Sequence, residues 1–312
     1  MNLSVLYRGL LSSCNYACRY CAFSKRFESE ALLESDRSGL DRFVSRLCRE
    51  TGHHWRILFT PWGEALVRAW YRHAIARLTH LPHVESVAVQ TNLSAPLEWI
   101  DACRTERLAV WATYDPTETS RESFLNQVRR LKTRDVRVSV GMVGVAEFID
   151  EIQAMRRLLP DSVYLWINAQ QPRPRPYTEA EENLFAAIDP QFWATSRRQP
   201  SLGAPCQTGE VAFTVDGKGT MRRCHFVDDV IGNFDDDHWE SALRPRSCPN
   251  RFCNCFLGQS QLNTDAFAAF FGSSQLERVP NQSWTTSSDR PQGIDQSRDG
   301  KGASVTSTEG DY

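Results

Sequence analysis

The chain has 312 residues, 41% of them hydrophobic and 24% charged, with a formal net charge of −2. That composition suits a globular protein with one large core, or a main domain and a smaller partner, and it offers no cationic surface for nucleic acid. No run of apolar residues is long enough to span a bilayer, and the opening MNLSVLYRGL lacks the features of a secretory leader. The expected compartment is therefore the cytoplasm, where clustered cysteines serve more often as metal ligands than as disulfides.

In chain order, the first expected strand is LSVLYR, and SSCNYACRYC (Ser12–Cys21) follows it with three cysteines spaced C-x3-C-x2-C. Leu40, Phe43, Val44 and Leu47 then repeat at helical spacing. The strand WRILFT leads into TPWGE, and Val67, Trp70, Tyr71, Ala74, Ile75 and Leu78 form a second helical stripe. VESVAVQT runs into Thr91 and Asn92, and the connection from Ser94 to Glu106 is shorter. RLAVWATY, a stripe at Phe124, Val128 and Leu131, VRVSVGMV, a stripe at Phe148, Ile152, Met155 and Leu159, and finally VYLWIN complete the alternation at Asn168.

Six strands alternating with helices predict an α/β fold with a parallel sheet and right-handed crossovers, open or curled into a partial barrel. In either form function collects at the carboxyl ends of the strands. The cysteine loop, TPWGE, the Thr91–Asn92 pair and Asn168 all fall at that rim. Beyond Asn168, QQPRPRPY reads as an extended linker, in which Arg173 and Arg175 are either substrate-carboxylate partners or solvated charges. Thr178 and Glu181 form a capping box for a short helix ending near Ile188. Pro205–Gly258 is cysteine-rich, with DGKG as a hairpin turn between VAFTV and MRRC. NTDAFAAFFG is a candidate short helix, and from about residue 273 the Ser/Thr/Gly/Asp-rich tail is expected to be disordered.

Ten cysteines fall into groups. Cys48 and Cys103 lie on helical patterns and are explained by burial. Cys14, Cys18 and Cys21 lie early; Cys206, Cys224, Cys248, Cys253 and Cys255 lie in the last third. Three thiolates leave one iron of a four-iron cluster open to a small molecule. The competing readings are a redox-sensing cluster or a zinc knot, which must recruit a fourth ligand such as His53, His54 or Cys48.

CNYACRYC resembles the C-x3-C-x-aromatic-C signature of the radical S-adenosylmethionine (radical SAM) superfamily, with Tyr20 at the aromatic position. The resemblance implies a partial (β/α)6 TIM-type barrel. It also implies a 4Fe–4S cluster on Cys14, Cys18 and Cys21 whose open iron chelates S-adenosylmethionine (AdoMet). Reductive cleavage there yields a 5′-deoxyadenosyl radical for C–H activation. FTPWGEAL sits where that family carries a Gly-Gly-Glu-Pro-like turn. Gly63 and Glu64 match, Trp62 and Ala65 depart, and the resemblance implies that Glu64 helps hold the cosubstrate amino group. By the same resemblance Thr91 and Asn92 contact the methionine or ribose portion; the alternative is that Asn92 simply caps the next turn. Asn168 at the same rim is open between ligand contact and structural hydrogen bonding. Cys206-x12-Gly219-x4-Cys224 followed by CPNRFCNC resembles the SPASM and twitch extensions that hold auxiliary iron–sulfur clusters. Five cysteines suffice for one such cluster with one to spare; a structural zinc site is the alternative.

The expected organisation is therefore a radical SAM core over residues 1–170 and a linker with a short helix over 171–200. A small Cys-rich, twitch-like extension follows over 201–258, then a short helix and tail over 259–312. Flavodoxin or ferredoxin is the implied electron donor, and a peptide or protein is the favoured substrate, with a small metabolite or a maturase role as alternatives. A zinc-stabilised interaction protein is the non-enzymatic reading.

Overall fold

The computed structural model describes residues 1–21, 27–262, 264–272 and 276–280. Its frame is six parallel strands: β1 (Asn2–Gly9), β2 (His54–Phe59), β3 (Val84–Thr91), β4 (Leu108–Thr113), β5 (Arg137–Gly144) and β6 (Tyr164–Ala169). Helices α1 (Glu30–Arg49), α2 (Ala69–Thr79), α3 (Arg121–Lys132) and α4 (Ile149–Leu158) make four of the five crossovers. The shorter connection after β3 holds only 3-10 turns, Glu98–Ala102 and Thr105–Arg107. The helical stripes bury as their spacing dictates: Leu40, Phe43, Val44 and Leu47 of α1 meet Leu3, Val5 and Tyr7 of β1 in the outer core. Because side chains alternate along a strand, Leu6 and Arg8 point to the opposite, inner face.

Beyond β6 come α5 (Glu179–Ile188), α6 (Trp193–Ser196) and the two-residue strands β7 (Gln199–Pro200) and β8 (Pro205–Cys206). The capping box at α5 forms as expected, and the linker before it is pinned. Arg175 makes two hydrogen bonds to the Glu181 carboxylate, at 2.7 and 2.8 Å, and Arg173 lies over Tyr177 and donates to the Ser196 carbonyl. Both arginines are thus engaged within the chain.

The expected hairpin is β9 (Ala212–Asp216) and β10 (Thr220–Cys224), followed by β11 (Val227–Asn233). It does not stand apart from the main sheet. β9 pairs in parallel with β1, Ser4 opposite Ala212, giving a nine-stranded sheet in the order β11-β10-β9-β1-β2-β3-β4-β5-β6. The join is also hydrophobic. Trp55 of β2 lies 5.7 Å from the rings of both Phe234 and Trp239, and those two rings are 4.9 Å apart. Each such buried aromatic stabilises the join by about 2 kcal/mol.

The remaining pieces are β12 (Arg246–Ser247), which pairs with β8, β13 (Phe252–Cys253), which pairs with β7, and helices α7 (Phe256–Leu262) and α8 (Thr264–Phe271). Phe256, Phe267 and Phe271 pack on the inner face against Leu6, Leu58, Ala88, Ala109, Trp111 and Trp166. Small Ala88 and Ala109 leave the room they fill.

Residues 276–280 correct the expectation of a disordered tail from about residue 273. Leu276, Glu277, Arg278 and Val279 are buried on that inner face. A polar-looking segment can be buried because its charge is matched. Arg278, wholly inaccessible, pairs with Asp189 at 2.5 Å, and Asp189 also accepts from the Tyr164 hydroxyl and the Ile167 amide. The rest of that tail, 273–275 and 281–312, lies outside the described residues.

Candidate metal centre

The loop carrying the first cysteines is built from its flanks inward. β1 ends at Gly9, whose φ of 65° lies in the left-handed region, and a Cβ there would sit 2.4 Å from the Tyr71 hydroxyl. The crowding comes from Asp36, a buried carboxylate of α1. It accepts from the amides of Leu10 (2.9 Å) and Leu11 (3.0 Å), from Trp70 Nε1 (2.9 Å) and from the Tyr71 hydroxyl (3.0 Å). Glu28 accepts from the Ser12 amide and from the hydroxyls of Ser12 and Ser13. Burial works to raise the Glu28 carboxyl, but the serine donors outweigh it and hold the group below its ordinary value. Two carboxylates therefore clamp residues 10–13, which feed Cys14.

The second-strand loop closes on the same segment. The Gly63 amide donates to the Leu11 carbonyl (3.2 Å) and the Glu64 amide to the Ser13 carbonyl (3.1 Å). A Cβ on Gly63 would lie 2.0 Å from that Ser13 oxygen, so only glycine permits the approach. Glu64 is buried, and its carboxylate accepts from the Leu66 amide (3.0 Å), the Thr91 hydroxyl (2.7 Å) and the Asn92 amide (2.7 Å). Burial raises its pKa, although these donors oppose the shift. The Asn92 side chain reaches on to the Cys14 sulfur at 3.8 Å and to Asn15 Oδ1 at 3.0 Å. Gly63, Glu64, Thr91, Asn92 and the cysteine loop are thus one bonded unit across the ends of β1, β2 and β3.

Within the loop, Cys14 Sγ accepts from the Tyr16 amide at 3.4 Å, and the Cys21 amide donates to the Cys18 carbonyl at 3.1 Å. Tyr20 sets its ring edge against Phe148, 6.2 Å away. Burial, and then the Asp115 carboxylate at the end of β4, push the Cys18 thiol well up from its ordinary value. Nothing in the sequence pattern had marked Asp115, Asp36 or Glu28. Asn168 stands apart, on the inner face at the far edge of the sheet, accepting from Arg278 at 3.4 Å. Cys48 packs against the outer core, and His53, just before β2, bonds Glu240 at 2.8 Å. Both lie at the opposite ends of the strands from the cysteine loop.

The C-terminal cysteines also converge. Cys206 lies on β8, Cys224 ends β10, Cys248 follows β12, Cys253 lies on β13 and Cys255 precedes α7; all five line one cavity of about 210 Å³. Backbone bonds between Gly203 and Cys248 and between Cys248 and Ala204, both 2.8 Å, hold the short strands together. Burial raises the Cys224 thiol to about 11 and the Cys253 thiol to about 12. His225, lining the same cavity, is pushed down to about 4 by burial and by Arg8.

These donor sets fit iron–sulfur clusters. Thiols dominate both, and thiolates are the ligands that hold such clusters.

No family model matches the sequence, and no curated protein matches it either. Solved structures do match. Native anSMEcpe with bound AdoMet and the Cp18Cys peptide is 15% identical, with a TM-score of 0.53 over 78% of this chain and 80% of that one. The same protein with AdoMet and the Kp18Cys peptide is 14% identical, with a TM-score of 0.54 over the same shares. Streptococcus suis SuiB is 10% identical, with a TM-score of 0.51 over 78% of this chain and 66% of that one. The chain therefore has the α/β partial-barrel fold of radical SAM enzymes.

Proposed function

We propose that the chain is a radical SAM enzyme in which Cys14, Cys18 and Cys21 hold a 4Fe–4S cluster and leave one iron for AdoMet. The observation that carries this reading is the bonded unit at the rim: a three-thiol loop joined to the loop after β2 through Gly63 and Glu64, and to the end of β3 through Asn92. When bound, the cluster supplies the electron that splits AdoMet into methionine and a 5′-deoxyadenosyl radical.

The chain's own residues do the positioning. Asp36 and Glu28 fix the approach of the loop, Glu64 sets the end of β3 through Thr91 and the Asn92 amide, and Asn92 presents its side-chain amide beside Cys14. Tyr20 covers the loop against Phe148. Four of the five cysteines Cys206, Cys224, Cys248, Cys253 and Cys255 supply the ligands of a second, auxiliary cluster. In this reading residues 1–170 are the radical SAM core and 201–258 the twitch-like extension, and the protein works in the cytoplasm with a flavodoxin or ferredoxin as reductant. A peptide or protein substrate is favoured by the matching structures that hold AdoMet together with a peptide.

The test is reductive cleavage. Anaerobically reconstituted protein, given dithionite and AdoMet, is expected to release 5′-deoxyadenosine. Cys18→Ala is expected to abolish that release while leaving the auxiliary cluster's iron in place. Retention of the full yield by Cys18→Ala would falsify the ligand assignment.

A further inference from the structure

Two arginines near the C-terminal cavity have no carboxylate partner among the described residues. Arg223, buried and lining the cavity, spends its nitrogens on Thr208 Oγ1 (3.4 Å) and on the carbonyls of Ser247 (2.6 Å) and Arg246 (3.3 Å). Arg8, at the inner face of the β1 end, donates one nitrogen to the Thr60 carbonyl (2.8 Å), while its buried Nε has no partner. Its guanidinium lies 4.6 Å over the ring of Trp62. That ring also meets His225, 4.7 Å away, beside Cys224 on the cavity wall. Leu6, next inward along the same face of β1, lines the cavity itself. Arg8 thus stands between the second-strand loop and the five-thiol cavity.

Neither guanidinium forms an ion pair with any described carboxylate, so one positive charge lies on the cavity wall and a second stands beside it, with no carboxylate among the lining residues. Burying an uncompensated cation is unfavourable by several kcal/mol. Burial pulls Arg8 down to about 10, which still leaves it charged at neutral pH, and the fields of Arg8 and Cys255 act on each other. What completes such a site is an anion. A cluster held by thiolates is one, and it gains a further negative charge on reduction.

We infer that Arg8 and Arg223 are the counter-cations of the auxiliary cluster, and that they raise its reduction potential by favouring the more negative, reduced state. The inference rests on the reading of the C-terminal cysteines as cluster ligands. The couple takes up one electron and no proton, so a fixed positive charge nearby stabilises its product directly. Trp62, which stands where the family's turn has glycine, places its ring under Arg8 and, tilted by 54°, against His225.

The experiment is a dithionite-poised redox titration of the full reconstituted protein, followed by electron paramagnetic resonance. Addition of AdoMet identifies the N-terminal cluster, because only that signal changes. Arg8→Gln, which keeps a donor for the Thr60 carbonyl, is expected to lower the midpoint of the AdoMet-insensitive cluster and to leave the other unmoved. Arg8→Lys is expected to restore most of the difference, and Arg223→Gln to lower the same midpoint. If Arg8→Gln loads both clusters and neither midpoint shifts, or only the AdoMet-sensitive one does, the inference is overturned alone. If the parent protein binds a single cluster, the auxiliary-cluster reading fails and this one with it.

Discussion

Gly63 and Gly52 make a matched pair for testing the rim. At Gly63 a Cβ would collide with the backbone of Ser13, while at Gly52 it would meet nothing within 4 Å. Gly63→Ala is expected to push the second-strand loop off the cysteine loop, costing about four irons per chain and the release of 5′-deoxyadenosine. Gly52→Ala is expected to leave both iron content and product yield at the parent level. At this scale the sequence was legible where residue type and spacing coincide: Cys14, Cys18 and Cys21 announce themselves, and Gly63–Glu64 sits at a strand end. Asp36, Glu28 and Asp115 were not legible. A single carboxylate on a helix or in a turn has no spacing to betray it, and its donors are backbone amides and hydroxyls found only once the chain has folded. Arg8 is the same case, one basic residue at a strand end whose meaning comes from Trp62 and His225.

Among the elements, α5 carries its own pH dependence. Glu181 is held down to about 2 by Arg175 and by the Thr178 amide. A depressed carboxyl stabilises the folded state above its unfolded value, near 4.5, and that contribution fades as the pH falls toward about 2. Amide exchange at residues 179–182 is therefore expected to quicken as the pH is lowered across that window, once corrected for intrinsic rates, and Glu181→Gln is expected to erase the trend. Arg175 is half exposed, so solvent screens the pair and keeps its contribution small. The strands, four crossover helices and this capping box could be read from local periodicity because each buries one stripe or face. The placement of β9 could not. Its pattern says strand, but nothing in five residues says that the partner is β1, on the other side of the whole barrel in sequence.

For the molecule as a whole, the inner face is sealed by a charge pair rather than by hydrophobic residues alone. Arg278→Met is expected to leave Asp189 buried without its cation and to lower stability by about 3–5 kcal/mol in denaturant titration. Adding Asp189→Asn is expected to recover part of that loss, because the two changes share one interaction. A loss in the single variant that the double variant merely enlarges would argue that Arg278 acts through packing on Trp166 and Phe256 instead. That burial was hidden in the sequence because the Glu277–Arg278 pair reads as exposed, and only the charge on Asp189 makes the interior position of Arg278 tolerable. The pairing of Ser4 with Ala212 carries a consequence for the order of assembly. During synthesis β1 can acquire β2 early, yet its other side stays an open edge until β9 emerges, exposed to mispairing throughout that interval. In the proposed reading, iron reaches the early thiols after that closure, when translation has already delivered the late ones.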